Sequence, residues 1–314
     1  MGSYLVKRLF ASLLTALLAS VLVFLLVRLV PGDVVSQMMG QAGGETAENA
    51  LRNFFGLDQP IYVQYANWLM QLLQGNLGTS WTRGIPVTQM LGPAFLVTLE
   101  IGLLTLLVAT LVGLPLGIVA AIHEGKPLDN LIQAFNILGL SAPVFWIGLM
   151  LLVGVSTTFS WSPPLRYVSP VQSLGGNLEI LALPIMSLGL LQAAAYSQFV
   201  RQNVVSALHQ EYVRTAIAKG VSKRVIFFKH ILRNVMIPII TFMGLILIQI
   251  LGGVVIIESL FALPGLGRLL LSAIETRDYP VVQGALLIVV AAAMVVNLLV
   301  DLAYRLIDPR VRVA

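Results

Sequence analysis

Six long apolar runs are separated by polar connections: Leu9 to Val30, Phe95 to Ile122, Leu131 to Phe159, Leu181 to Val200, Val235 to Ile257 and Val281 to Tyr304. A helix needs about 20 residues to cross a hydrocarbon core roughly 30 Å thick, and each run is long enough. The runs are unbroken rather than alternating at every second position, which predicts helices and not the strands of a membrane β-barrel. Pro115, Pro143, Pro184 and Pro238 fall inside or near the ends of these runs. Each removes a helical hydrogen bond, so each is a candidate kink or hinge.

Two connections carry a pattern of their own. The first, residues 31–94, is the longest and is read as an extracytoplasmic insertion. Within it Tyr65, Trp68, Leu69 and Leu72 recur at helical spacing across Tyr62 to Leu73. That spacing predicts an amphipathic helix lying at the interface or packed on the outer ends of the spans. The second, residues 201–233, predicts two short helices. Tyr212, Val213, Ala216 and Ile217 form one stripe, and Val225, Phe228, Ile231 and Leu232 form the next. The bend between them is placed at Gly220, where the missing Cβ opens backbone angles closed to other residues. A bent basic hairpin suits a lever set into a groove on a partner, or a helix pair lying on anionic lipid.

Composition places the whole chain in a membrane. Of its 314 residues 58% are hydrophobic and only 11% charged, against about a quarter charged in soluble domains. Mean hydropathy is +0.91. A single membrane domain over 1–314, carrying one extramembrane insertion, is expected. The formal charge of +5 would suit nucleic acid, but basic residues flanking apolar helices are accounted for by orientation, and no nucleic-acid partner is expected. Lys7, Arg8, Lys126, Arg201, Arg214, Lys219, Lys223, Arg224, Lys229, Arg233, Arg305, Arg310 and Arg312 fall on one side, facing Arg28, Arg52, Arg83, Arg166, Arg268 and Arg277 on the other. The richer side is the cytoplasmic one, which puts both termini inside. The expected fold is thus an all-α integral membrane protein with six transmembrane helices. Leu9 to Val27 is too long for a signal-peptide core and lacks a clear cleavage site, so it is read as a retained first span. The chain has no cysteine, which excludes disulfide and thiolate chemistry.

Candidate chemistry is sparse. No Gly-x-x-x-x-Gly-Lys-Ser/Thr loop occurs; Gly125-Lys126 comes nearest and lacks the upstream glycine and the hydroxyl residue. Any ATP must therefore be bound by another chain. His123, His209 and His230 all lie in inner connections, with no His-Glu-x-x-His and no Gly-x-Ser-x-Gly, so neither a catalytic nor a metal site is assigned. Glu100, Gln192, Gln198, Gln249, Glu258 and Asn297 are the polar groups within or near the spans. Each is a candidate for a transport path, for helix-to-helix bonding or, for the two carboxylates near outer ends, for solvation. Asp301 and Arg305 stand four apart and are placed to pair. Glu258 with Pro264, Gly265 and Gly267 marks a third outer connection that reads as a gate, a docking surface or a plain turn.

The stretch Tyr212-Val-Arg-Thr-Ala-Ile-Ala-Lys-Gly220, continuing to His230-Ile-Leu-Arg-Asn234, resembles the coupling loop of ABC importer permeases of the dipeptide and oligopeptide family. The broader superfamily begins this loop Glu-Ala-Ala and later has Leu-Pro. Here Arg214, Thr215 and Ala216 stand at the start, Leu232 and Arg233 at the later pair, and the proline is displaced to Pro238. These departures are similar to the peptide-importer branch; the Glu and Pro functions are not carried over. Further resemblance runs along the whole chain, in Arg28-Leu-Val-Pro-Gly-Asp33, Gly56-Leu-Asp-Gln-Pro60, Gly75-Asn-Leu-Gly-Thr-Ser80, Thr98-Leu-Glu100, Ser141-Ala-Pro-Val-Phe145, Glu258-Ser-Leu-Phe-Ala-Leu-Pro-Gly-Leu-Gly267, Arg277-Asp-Tyr-Pro280 and Asp308-Pro-Arg310.

The resemblance implies an ABC type I importer transmembrane domain in a bacterial or archaeal inner membrane. It implies a heterodimer with a second related permease, two ATP-binding subunits holding ATP and Mg, and an extracytoplasmic solute-binding protein. No cofactor is expected on this chain itself. Tyr212, Val213, Thr215, Ala216, Lys219, Gly220 and Val221 are then the expected ATPase-coupling residues. Di- and oligopeptides are the expected cargo, with nickel, glutathione or oligosaccharide carried by the same architecture as alternatives. A secondary transporter is the rival class; it calls for ion-coupling carboxylates deep in the membrane and repeated halves with broken helices.

Overall fold

The computed structural model describes residues 2–29, 35, 45–164 and 166–307. The Pro31-Gly-Asp33 end of the first motif and the motif Asp308-Pro-Arg310 lie outside them. Every regular element among the described residues is a helix, beside one isolated bridge between Thr79 and Pro86. In chain order they are α1 (Gly2–Leu29), α2 (Glu45–Phe54), α3 (Ile61–Leu73), α4 (Val87–Ile122), α5 (Pro127–Ser141), α6 (Val144–Phe159), α7 (Leu174–Leu208), α8 (Glu211–Ala218) and α9 (Lys223–Val225). A π-helical turn (Ile226–Ile231) follows, then α10 (Leu232–Gly253), α11 (Val255–Leu260), α12 (Leu266–Glu275) and α13 (Tyr279–Ile307).

Five of these helical stretches are long and apolar enough to cross a bilayer. A sixth crossing requires α5 and α6 together, and these are bent by 100° at their junction. The unbroken third span expected from Leu131 to Phe159 is therefore corrected to two helices. Pro143 is the cause. Its ring clashes with a helical conformation at the preceding residue, and Ala142 is extended, at φ −85° and ψ 132°. Pro115, Pro184 and Pro238 are accommodated inside continuous helices instead. The second span begins at Val87 rather than Phe95, which shortens the first connection.

The chain forms two units. The first comprises Met1–Val97 and Pro264–Met294, the second Thr98–Leu263 and Val295–Ala314. In the first unit the core is built from Val27, Val87, Leu91, Leu266, Tyr279 and Val281. The amphipathic helix expected at Tyr62 to Leu73 is α3, and it lies against α1. Tyr65 and Trp68 set their rings 5.2 and 5.5 Å from that of Phe24, and the Tyr65 hydroxyl bonds Ser20 Oγ at 2.9 Å. The opposite side of α1, with Leu18, Leu22 and Leu26, is exposed, as an apolar face turned to lipid requires.

In the second unit α7 is the central element, packed on α5, α6 and α10. Small residues allow this closeness. A Cβ placed on Gly113 or Gly117 of α4 would come within 2.6 Å of the Ala193 carbonyl oxygen or 2.5 Å of that of Ser197. Gly113-x-x-x-Gly117 is thus a close helix-to-helix crossing of the small-xxx-small kind.

Candidate functional site

The connection after α7 folds as a hairpin of α8 against the π-helical turn. Its bend is closed by backbone geometry: Gly220 N–H donates to Ile217 O at 2.9 Å and Val221 N–H to Ala216 O at 3.1 Å. That pair of bonds is the Schellman closure, which demands a left-handed residue, and Gly220 has φ +73°. The first turn of α8 is tied by Arg214 Nη1 donating to Glu211 Oε1 at 3.0 Å and Thr215 Oγ1 donating to Glu211 O at 2.9 Å.

Of the expected stripe on α8, only Val213 is enclosed, at 2% exposure, and Ala216 is half-buried. Tyr212 and Ile217 face outward, together with Thr215, Lys219 and Gly220, while Val221 is half-buried. Of the second stripe Ile231 is buried as expected and Leu232 is half-buried, while its first half is corrected. Val225 and Phe228 are exposed, and the buried positions are Ile226, Ile231, Val235 and Ile239. The first of these steps is five residues and the others four, because the π-helical turn advances the face by an extra residue.

The helices feeding this hairpin are clamped by an ion pair that the sequence reading passed over. Arg201 on α7 donates from Nε and Nη2 to the two carboxylate oxygens of Asp129 on α5, both at 2.6 Å. Gly125 N–H adds a bond to Asp129 at 2.9 Å. The carboxylate is nearly enclosed, at 3% side-chain exposure. A bidentate pair with that burial fixes orientation as well as distance. The sequence signal was the lone Asp in the first turn after Pro127, beside a span end.

The polar residues of the spans separate into distinct environments. Glu258 has no exposed surface and accepts from Thr98 Oγ1 at 2.5 Å, so it is neither solvated nor available for docking in this conformation. Glu100 is half-buried and accepts from the Tyr167 hydroxyl at 2.6 Å. Burial and this carboxylate hold the Tyr167 pKa well above the ordinary phenol value. Gln192 is buried and Gln198 half-buried, whereas Gln249 and Asn297 are exposed on the second unit. Thr241 and Tyr304 share a hydroxyl bond at 2.5 Å; Asp301, one turn before Tyr304, and Arg305, next to it, are half-buried.

In the first unit Pro264 is exposed, Gly267 half-buried and Gly265 buried at the start of α12. The turn between α12 and α13 is organised by Asp278. This buried carboxylate accepts from Ser80 Oγ (2.5 Å), Trp81 N (3.1 Å), Thr82 N (3.3 Å) and Thr82 Oγ1 (2.6 Å).

Helices long and apolar enough to cross a bilayer, with a basic hairpin between two of them, define a multi-pass membrane protein. The family profile described as binding-protein-dependent transport system inner membrane component matches residues 113–313, and the profile for the N-terminal part of such membrane components matches residues 1–95. The chain belongs to this family, as a multi-pass membrane permease subunit. A probable peptide ABC transporter permease protein of Sinorhizobium fredii is 36% identical over 312 residues, covering 99% of this chain and 100% of that protein. The dipeptide transport system permease protein DppB of Escherichia coli is 34% identical over an alignment of 336 positions, 99% of each chain. A putative peptide transport system permease protein of Brucella abortus is 37% identical over 285 residues, 91% of each. Among solved structures, an inward-facing form of the MetNI methionine ABC transporter superposes with a TM-score of 0.53 over 70% of this chain and 97% of that one, at 14% identity. That likeness is one of fold.

Proposed function

We propose that this permease imports short peptides, paired with a second related permease and driven by two ATP-hydrolysing subunits that dock on the Glu211–Ile231 hairpin. The observation that carries the reading is the hairpin itself: Val213 anchors it from below, while Tyr212, Ile217 and Phe228 are exposed beside Lys219, Lys223 and Lys229. Exposed apolar side chains on a short, fully closed helix are costly in water and fit a groove on a partner. The peptide assignment is supported by relatives that are named as peptide or dipeptide permeases and aligned end to end.

In this reading the lysine- and arginine-rich end faces the cytoplasm, and the connection 31–86 faces a solute-binding protein outside. Closure of the ATPase pair pushes the hairpin. The Asp129–Arg201 pair carries that displacement from α7 to α5, and the spans exchange inward-open for outward-open states. Gln249 and Asn297, exposed on membrane-crossing helices, would be expensive against hydrocarbon and are assigned to the second permease or the transport path. Pro264 and Gly267 are assigned to the surface that meets the binding protein.

The test is purification of the tagged chain from its native membrane in mild detergent with mass spectrometry of what accompanies it. A second permease and ATPase subunits are expected, and replacement of residues 215–221 is expected to remove the ATPases while keeping the permease. Recovery of the chain alone across detergents, with uptake that follows an ion gradient, would overturn the reading.

A further inference from the structure

The first unit carries a half-open cavity of about 660 Å³ bounded by the end of α1, α2, α3, the segment 77–84 and the start of α13. Ligand sites in proteins commonly fall between about 300 and 1,000 Å³. Its wall contains one cation, the guanidinium of Arg28, and no carboxylate among the described lining residues. Arg28 is fixed in place from two directions. Its Cζ lies 3.8 Å over the Phe24 ring, and its Nε and Nη2 donate to Gln64 Oε1 at 3.0 and 2.7 Å. Gln64 is in turn held by donating to Gln59 O at 2.7 Å. The third nitrogen, Nη1, is buried and donates to nothing. A second donor on the same wall, Nε2 of Gln283, is likewise buried and without an acceptor, in a side chain only 4% exposed.

Two enclosed donors left without acceptors, one of them charged, are costly as they stand and are satisfied by an acceptor with negative charge. A planar guanidinium held by Phe24 and Gln64 presents its remaining edge to a carboxylate. The rest of the wall suits a peptide: Asn53 and Asn67 offer amides for backbone groups, and Trp68 and Trp81 offer ring surface for apolar side chains. We propose that this cavity is a receiving site for short peptides, in which Arg28 and Gln283 hold the free C-terminal carboxylate. The proposal rests on the peptide-importer reading above. A phosphate-sized anion alone would leave the aromatic wall unused.

The experiment uses the assembled transporter in lipid nanodiscs without its binding protein, titrated with alanyl-phenylalanine and with the same dipeptide as its C-terminal amide. The free acid is expected to bind about tenfold more tightly than the amide, the scale of one charge-assisted contact. Arg28→Gln is expected to abolish the difference, and Arg28→Lys to restore part of it. Gln283→Leu, which leaves the Phe24 and Gln64 contacts intact, is expected to weaken the acid several-fold and spare the amide. Equal binding of acid and amide, or binding of neither, would overturn the site. In a second titration, with the empty binding protein added to the same nanodiscs, an Arg28→Gln effect confined to its docking would also overturn the site, since the carboxylate would then be a protein side chain. If acid selectivity appears while the same complex, sealed in liposomes with its binding protein and ATP, fails to take up peptides, the carboxylate site stands and the importer reading falls.

Discussion

Ser80 and Asp278, separated by 198 positions in the chain, meet in a buried hydrogen bond of 2.5 Å between Oγ and Oδ2. They belong to two different motifs, Gly75–Ser80 and Arg277–Pro280, and the contact explains why both are polar in an apolar protein. One carboxylate satisfies two backbone donors and two hydroxyls, which pins the segment before α4 to the turn before α13. Replacing Asp278 by Ala leaves those donors enclosed and unpaired, at about 1–3 kcal/mol for each that water cannot reach. The expected outcome is a clear drop in the thermal midpoint of the purified chain in detergent. Asp278→Asn, which keeps two acceptor sites, is expected to fall between the two.

The Asp129–Arg201 pair is expected to behave as a coupled unit. Removing either partner strands a largely buried charge, a loss of about 3–5 kcal/mol in comparable cases. Asp129→Asn and Arg201→Gln are therefore expected each to reduce stability sharply. The double variant is expected to cost less than the sum of the two, and a double-mutant cycle on thermal midpoints measures the difference.

At Gly117 the obstacle is contact rather than conformation. An added Cβ would lie 2.5 Å from Ser197 O and 2.7 Å from Val200 Cβ, so α4 and α7 must separate. Gly117→Ala is expected to destabilise, and Gly117→Leu to prevent accumulation of folded protein in the membrane, as read by fluorescence-detected size exclusion. Gly154 has nothing within 4 Å of the same construction, and Gly154→Ala is the expected silent control.

Gly220 presents the reverse case. Space around it is open, and only its φ of +73° penalises a side chain. Gly220→Ala is expected to cost about 1–2 kcal/mol locally without disturbing the spans. If the hairpin couples ATP hydrolysis to transport, this variant and Ile217→Ser are expected to lower substrate-stimulated ATPase activity of the complex several-fold while assembly of the membrane part is kept. Unchanged stimulation would remove the hairpin from the mechanism.

Much of the architecture was legible because bilayer thickness and helix rise impose a length on apolar runs, and that length survives without any knowledge of packing. The bend at Gly220 was legible for a similar reason, since a glycine between two amphipathic stripes has a local conformational meaning. The face buried after it was legible only at Ile231. Val225 and Phe228 fit an ordinary helical period with that residue, and only a π-helical turn, selected by packing, puts Ile226 inside in their place. Pro143 shows the same limit: its chemistry is as visible in the sequence as that of Pro184, yet one junction bends by 100° and the other helix continues.

The sequence by itself determined the class of protein, the number of candidate crossings, the basic hairpin and the motifs that place the chain in its family, because these depend on composition and on neighbours along the chain. Tertiary structure alone decided what the isolated polar residues do. Asp129, Glu258 and Asp278 are each a carboxylate near an apolar run, and nothing local distinguishes them. Their partners Arg201, Thr98 and Ser80 stand 72, 160 and 198 positions away, and a charge in a low-dielectric interior takes its role from whichever donor the fold brings to it.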